Sequence, residues 1–350
     1  MNVTLILYVV SAFVLSAVFV PVILWVCRRF NWYDSFDERK VHTGLIPRLG
    51  GVGFVSAFVI VVCVLLFFTY PGWGKRFLPL IAGGLIILVF GVVDDFKNLS
   101  GRIKLLVQVI VSLIVLAGGF RFISIGPIQL GWVGYALTFA WLIGVINAFN
   151  LIDGIDGLCG GLSFFGILTF GLVFLFRTED NVLAAVCFVL AASVAGFLLY
   201  NKPQAKIFMG DGGSQFLGYM IAILPLLSED SGLQPNKALM MVVICAIPLF
   251  DTVAAMWRRL REGRSFFSPD RAHLHHKLLN LNCSVPKILA ILYTLQLFLC
   301  GVVFAASGMS VLYGFILLMG AVLVVTIFFT ALHFMNRRRV QNNKVVSEVK

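Results

Sequence analysis

WVGYALTFAWLIGVINAFNLIDGIDGL, residues 132–158, is an apolar run that becomes polar at its end. Polar side chains recur there at every third position: Asn147, Asn150, Asp153 and Asp156. Because a step of three residues advances about 300° around an α-helix, one helix face cannot carry all four. The spacing therefore predicts a helix that ends near Asp153, where Gly154 and Gly157 let the chain turn.

The tip of this helix is expected to present two amides and two carboxylates. Such hard oxygen ligands suit Mg²⁺ together with a hydroxylated or nucleobase substrate. A polar loop that only caps two helices is the alternative for this stretch taken alone.

The composition of the chain indicates an all-α polytopic membrane protein. Of the 350 residues, 60% are hydrophobic and only 12% are charged, which excludes an ordinary soluble domain. Runs long enough to cross about 30 Å of hydrocarbon occur near residues 3–27, 49–70, 77–93, 103–119, 132–149, 158–176, 181–200, 213–227, 236–256, 287–306 and 311–333. We expect these eleven helices to form a single membrane domain, 1–333, followed by a basic cytoplasmic tail, 334–350.

The distribution of basic residues predicts the topology. Arg28 and Arg29 follow the first run and nothing basic precedes it, so the N-terminus is expected outside and the C-terminus in the cytoplasm. All but five of the 27 Lys and Arg then lie inside, the exceptions being Lys75, Arg76, Arg121, Arg177 and Lys237. The basic surplus is therefore topological, and no nucleic-acid partner is implied. A short external hairpin is predicted near residues 121–131.

The same alternation places the polar motifs at one cytoplasmic mouth. Asp94 and Asp95 follow the third run, Asp153 and Asp156 the fifth, and Asp211 the seventh, while a basic segment with several histidines, 258–286, follows the ninth. The middles of the runs contain no Asp, Glu, Lys or Arg; Gln108 and Gln296 are the most polar residues there, and Asp251 lies near a cytoplasmic end. A pump or transporter usually needs ionisable groups near the membrane centre, so transport of Mg²⁺ or nucleotide sugars is disfavoured.

Four segments at this mouth carry residue types suited to phosphate chemistry. In the first loop, Lys40 and Arg48 suit phosphate oxygens, although such charges also serve to hold topology. The adjacent pair Asp94 and Asp95 resists double ionisation unless a cation neutralises it, so a base beside a metal is plausible and a mere helix cap is the alternative. Lys104, at the start of the next run, is suited to holding a phosphate.

The remaining two segments are a glycine-rich turn and a histidine cluster. FMGDGGS, residues 208–214, sets Asp211 among three glycines, which permits close approach of a pyrophosphate or metal. PDRAHLHH, residues 269–276, contains Arg271, His273, His275 and His276, whose spacing fits no usual zinc site. We expect these side chains to contact phosphate or base.

Together these motifs resemble the polyprenyl-phosphate sugar-1-phosphate transferase family. The resemblance rests on DD at 94–95, NAFNLIDGIDGL at 147–158, FMGD at 208–211 and PDRAHLHH at 269–276, in this order over essentially the whole chain. RKVH at 39–42, which includes His42, and PRLGG at 47–51 are most similar to the bacterial WecA/TagO branch, which transfers N-acetylglucosamine-1-phosphate.

The resemblance implies a Mg²⁺-dependent phosphotransferase, with Mn²⁺ as a substitute metal, in the bacterial inner membrane. A sugar-1-phosphate would pass from a UDP-sugar to undecaprenyl phosphate with release of UMP, starting a cell-envelope glycan such as lipopolysaccharide O-antigen or teichoic acid. Asn150 and Asp211 would hold the metal, Asp94 would act as base or orienting group, and Asp95 would support it. Substrate contacts would come from Lys40, His42, Arg48, Lys104, Asn147, Asp153, Asp156, Arg271, His273, His275 and His276.

Several alternatives stay open at this point. Another UDP-acetamido sugar is compatible with the motifs, whereas a UDP-MurNAc-pentapeptide donor is disfavoured because that branch differs in the PDRAHLHH segment. Direct attack by the lipid phosphate is the preferred route, and a covalent aspartyl intermediate is its rival. The sequence leaves both a monomer and a homodimer in membrane lipid open.

Overall fold

The computed structural model describes residues 3–33, 46–125, 128–228, 233–265 and 273–348. Lys40, His42 and Arg271 lie outside the described residues. The helices are α1 (Val3–Arg29), α2 (Gly50–Phe68), α3 (Gly74–Lys97), α4 (Gly101–Ala117), α5 (Val133–Ile152), α6 (Leu158–Val173), α7 (Asn181–Asn201), α8 (Gly210–Ile223), α9 (Gln234–Ile244), α10 (Ala246–Arg261), α11 (Leu274–Asn280), α12 (Val285–Ala306) and α13 (Val311–Glu348). One π-helical turn, Phe174–Thr178, and one 3₁₀ turn, Leu224–Leu227, extend α6 and α8.

The all-α polytopic membrane fold predicted from composition is confirmed. Within the described residues, eight helices are long and apolar enough to cross a membrane, and α9 with α10 makes a ninth span if the bent pair is counted as one. Each of the eleven apolar runs falls on helix, but α4 has 17 residues and α8 only 14. The number of spans and the sides of the termini stay predictions.

The run 236–256 differs most from a simple span, because its two helices meet at an angle of 74°. Pro248 in the first turn of α10 has no N–H, so it cannot bond the carbonyl of Ile244 four residues earlier. Gln296 of α12 donates its Nε2 to that carbonyl at 3.1 Å instead. The break is thus stabilised from a neighbouring helix.

The polar ends of the helices lie at one end of the bundle, as the alternation of the runs predicts. Phe208 donates its backbone N–H to Pro47 at 2.8 Å, which joins the start of α2 to the start of α8. The backbone N–H of Gly157 bonds Oδ1 of Asn201 at 3.1 Å, which joins the start of α6 to the end of α7. The predicted short hairpin is present as two antiparallel strands, β1 (Ser124–Ile125) and β2 (Ile128–Gln129); its outside position stays a prediction.

Helix α8 is the centre of the fold because it packs against α2, α3 and α5 with almost all of its side chains buried. Glycines make this close packing possible. The Cα of Gly212 lies so close to Gly91 of α3 that a Cβ added at Gly91 would overlap it, and Gly51 of α2 meets Gly213 in the same way. Small residues at helix contacts let backbones approach where side chains would hold them apart. These contacts bring the start of α8 against the end of α3.

We expect Gly91→Ala to reduce the free energy of unfolding by about 1–3 kcal/mol, because overpacking forces the two backbones apart. Gly144→Ala in α5 is the matched control, since a Cβ there meets nothing within 4 Å and alanine is the better helix former. Thermal unfolding of both variants in detergent measures the difference. Equal melting temperatures for Gly91→Ala and the unsubstituted protein would show that α3 and α8 do not touch at this point.

Candidate active site

Two carboxylates and one ammonium group from three helices meet at the polar end of the bundle. Lys104 of α4 contacts Oδ2 of Asp94 and donates to Oδ2 of Asp211 at 2.6 Å. Asp94 is 4% exposed, and its Oδ1 accepts the backbone N–H of Leu99 at 2.7 Å, just beyond the end of α3. The centre therefore holds two acidic groups against one basic group, which favours a further cation.

The neighbouring carboxylate of Asp95 faces a different helix. Its Oδ1 accepts the backbone N–H of Asp211 at 3.0 Å, at the first turn of α8. Its Oδ2 is buried and has no hydrogen-bond partner among the described residues. Gly210, the residue before Asp211, has a φ of +72°, which glycine adopts without strain. The two adjacent aspartates therefore point in different directions: Asp94 faces Lys104 and Asp95 faces the backbone of α8.

A short backbone pairing brings Arg48 to the same place. Gly50 donates to the carbonyl of Phe208 at 2.8 Å, and Gly51 donates to that of Met209 at 2.9 Å. The half-buried guanidinium of Arg48 is close enough to act electrostatically on Asp95 and on Asp153. The first loop thus delivers a cation to the carboxylates.

The two amides of α5 are directed at different neighbours. Asn150 donates its Nδ2 to Oγ of Ser214 at 3.0 Å and lies near Asp211. Asn147 donates its Nδ2 to Oε1 of Gln108 at 2.6 Å, one turn farther into the bundle. The prediction that both amides lie at the helix tip is therefore wrong for Asn147, because a three-residue step also moves it along the helix axis.

The helix ends where the spacing predicted, with Ile152 as its last residue and Asp153 as its C-cap. Burial raises the pKa of the half-buried Asp153 to about 7, and the carboxylate of Asp211 adds to the shift. Asp156 is 4% exposed, and its Oδ2 accepts the backbone N–H of Ala205 at 3.0 Å. Of the two carboxylates, Asp153 is thus the more accessible, while Asp156 ties the loop to the segment before α8.

The histidine cluster packs against this loop. His273 bonds Oδ2 of Asp251 through Nδ1 at 2.8 Å, and the backbone N–H of Leu274 bonds Oδ1 at 2.8 Å. The ring of His275 is so close to Gly154 that a Cβ there would overlap it. Burial lowers the pKa of His275 to about 3, and His276 adds to the shift. His275 is therefore neutral near pH 7.

Comparison with known proteins decides the family. The family model for glycosyl transferase family 4 matches residues 77–229. A probable undecaprenyl-phosphate N-acetylglucosaminyl 1-phosphate transferase of Bacillus subtilis is 34% identical over 310 residues, covering 86% of this chain and 84% of that protein. The chain belongs to glycosyl transferase family 4.

Two further members of glycosyl transferase family 4 support this assignment. The undecaprenyl-phosphate alpha-N-acetylglucosaminyl 1-phosphate transferase of Yersinia pestis is 34% identical, covering 76% of this chain and 74% of that protein. The Escherichia coli protein with the same description is 32% identical, covering 77% of this chain and 75% of that protein. The resemblance found in the motifs is confirmed, and the chain is a multi-pass membrane transferase.

The donor groups of this transferase suit Mg²⁺, although no three His, Cys, Asp or Glu side chains of the described residues form a ready cluster for a metal. Mg²⁺ is usually held by one or two carboxylates with substrate phosphates and water, so a partial protein site fits it. The carboxylate of Asp211, the amide oxygen of Asn150 and the buried, unpartnered Oδ2 of Asp95 are the oxygen donors at the centre. The ligand pair Asn150 and Asp211 stays a prediction.

Sequence reasoning assigned no role at this site to two kinds of residue. Asp251 holds both His273 and the start of α11, and the signal for it was a lone aspartate in the apolar run 236–256. Gln108 and Gln215 bond each other beneath the charged centre. The sequence signal for them was an amide residue one helical turn after Lys104 and a second one helical turn after Asp211.

Proposed function

We propose that this transferase moves N-acetylglucosamine-1-phosphate from its UDP-sugar to undecaprenyl phosphate, with release of UMP. The curated relatives that cover most of the chain carry names that state this acceptor and this sugar phosphate. The observation that carries the proposal is the position of Lys104 between Asp94 and Asp211. A transfer between two anionic substrates needs cations at the reacting phosphates and carboxylates that hold a metal.

In the proposed reaction, an oxygen of the lipid phosphate attacks the phosphorus next to the sugar. The new P–O bond joins the lipid phosphate to the sugar phosphate, and the pyrophosphate bond of the UDP-sugar breaks so that its electron pair leaves with UMP. Lys104 and Arg48 bind phosphate oxygens, and Asp94 orients the lipid phosphate and accepts its proton where it carries one. Asn150 and Asp211 would hold Mg²⁺, which when bound would neutralise charge on the pyrophosphate.

Asp153 and His275 are assigned to the nucleotide sugar. Asp153 ends α5 at the mouth of the site, and His275 is held against the same loop. A neutral histidine and a half-buried carboxyl group suit hydroxyl and nucleobase partners better than a second phosphate. Lys40, His42 and Arg271 are proposed as further phosphate contacts on the strength of the family motifs.

We infer that the site opens to the cytoplasm of a bacterial inner membrane. The distribution of Lys and Arg supports this proposal. All but five of the 27 belong to the polar end, and cytoplasmic loops of membrane proteins carry an excess of these residues. The product would then be the first lipid-linked intermediate of a cell-envelope glycan.

The test is an assay of the purified protein in lipid with a panel of UDP-sugars, undecaprenyl phosphate and Mg²⁺. We expect UMP release with UDP-N-acetylglucosamine, dependence on the added lipid phosphate, loss with a chelator, and recovery with Mg²⁺ or Mn²⁺. Release with only another UDP-acetamido sugar, or with UDP-MurNAc-pentapeptide, would correct the donor and keep the reaction. No UMP release with any donor would overturn the proposal.

The same assay separates the two routes of transfer. Direct attack leaves no modified protein when the UDP-sugar is added without lipid phosphate. An aspartyl phosphate or sugar phosphate isolated under these conditions would establish the covalent route instead.

A further inference from the structure

A layer of three amides lies directly beneath the charged centre. Gln108 follows Lys104 by four residues on α4, Gln215 follows Asp211 by four residues on α8, and Asn147 precedes Asn150 by three residues on α5. Residues three or four apart share one face of a helix, one above the other. Helices α4, α5 and α8 therefore each contribute one residue to the centre and one amide to the layer below it.

The three amides form a connected chain with Gln108 in the middle. Gln108 accepts from Nδ2 of Asn147 at 2.6 Å and donates its own Nε2 to Oε1 of Gln215 at 3.2 Å. Nδ2 of Asn147 also donates to the carbonyl of Ile143 at 2.8 Å. Gln108 is 1% exposed and Gln215 6%, so water does not compete for these bonds. In a buried layer, a broken amide bond leaves an unsatisfied polar group.

This layer is joined to the charged centre and not only stacked below it. Gln215 lines one small cavity together with Asp94 and Lys104. A displacement of Gln215 therefore changes the space that these two charged groups border.

We propose that Gln108 is a positioning residue, whose amide fixes the register of α4, α5 and α8 so that Lys104, Asn150 and Asp211 converge. The inference rests on the proposed transferase reaction. Apolar side chains in this layer would let the helices slide or rotate with little loss, because dispersion contacts are not directional. Directional bonds to two partners define one alignment, in the way that a buried polar residue sets the register of a coiled coil. Gln108 acts through these amide bonds and not through a bond of its own to the charged side chains.

The first test compares Gln108→Met with Gln296→Met. Both glutamines are 1% exposed and lie within helices, but Gln296 bonds the backbone carbonyl of Ile244, away from the charged centre. Methionine keeps the length of the side chain and removes both hydrogen-bonding groups. We expect both variants to lose similar thermal stability. We also expect kcat for UMP release to fall about 100-fold in Gln108→Met only, since displacement of reacting groups by about 1 Å costs this much.

The Michaelis constant separates positioning from binding. Because Gln108 does not contact substrate, KM for the UDP-sugar is expected to change by less than about threefold. A fall in kcat of the same size in both variants would assign Gln108 a merely structural role and overturn the inference. A protein that releases no UMP before any substitution would instead overturn the proposed function.

The second test is a double-mutant cycle on kcat. Gln215→Met removes the other end of the bond that Gln108 donates, so the double variant Gln108→Met/Gln215→Met is expected to lose little more kcat than Gln108→Met alone. The pair Gln108→Met/Gln296→Met is expected to give additive effects, because the two amides share no partner. Additive losses for Gln108 and Gln215 would show that their bond does not position the centre.

Discussion

Asp211→Asn is expected to lower kcat for UMP release by about 10³-fold, the largest effect of any single substitution in α8. The carboxylate of Asp211 bonds Lys104 at 2.6 Å and lies near Asn150. Asparagine keeps the shape of the side chain but carries no charge. The centre would then contain Asp94 as the single acidic partner of Lys104, and the affinity for Mg²⁺ would fall with the lost charge.

The matched control is Asp180→Asn, the same substitution at the start of α7. Asp180 accepts the backbone N–H of Leu183 at 3.0 Å as a helix cap, a role that asparagine fills about equally well. We expect its kcat to stay within about twofold of the unsubstituted protein, since the cap is kept and the centre is untouched. If Asp211→Asn retained a comparable rate at saturating Mg²⁺, neither metal binding nor charge neutralisation could be assigned to Asp211.

The parts of the site that follow from chain direction and local spacing were predictable. The end of α5 at Asp153 follows from a three-residue polar repeat with glycines after it. The meeting of Asp94 with Asp211 follows from counting apolar runs, because alternate run ends lie at the same membrane face. Both inferences need only the sequence and the thickness of a bilayer.

The parts that depend on helix rotation were not predictable. Asn147 and Asn150 look equivalent in the sequence, yet one bonds Gln108 of α4 and the other Ser214 of α8. Which neighbour an amide meets depends on how adjacent helices rotate about their axes, and long-range contacts such as that of Gly218 of α8 with Ile146 of α5 contribute to this rotation. A single sequence does not state which glycines face each other.

The bend between α9 and α10 was only partly predictable. Pro248 marks the weak point, because its missing N–H leaves the carbonyl of Ile244 without a partner in the helix. Many membrane helices with proline remain a single span, however, and here Gln296 of another helix supplies the replacement donor. The proline predicts a break, but the donor that stabilises it is a long-range contact.

Lys104→Met is the second large effect, with an expected fall in kcat/KM for undecaprenyl phosphate of about 10²–10³-fold. The ammonium of Lys104 lies between Asp94 and Asp211, so its loss leaves two carboxylates facing each other without their cation. The same substitution removes a positive charge that phosphate oxygens would contact. Lys97→Met is the control, because Lys97 is an exposed residue in the last turn of α3 at the same end of the bundle.

Added Mg²⁺ distinguishes the two proposed roles of Lys104, which are neutralising the carboxylates and binding a phosphate. If the ammonium served only to neutralise Asp94 and Asp211, a tenfold increase in Mg²⁺ would restore the rate of Lys104→Met, since a divalent cation bound to these carboxylates would supply the missing positive charge. We expect no such recovery, because a metal held by Asn150 and Asp211 would not replace the proposed bond from Lys104 to the phosphate. Full recovery with Mg²⁺ would limit Lys104 to charge balance and assign the binding of that phosphate to Arg48, which is already close to Asp95.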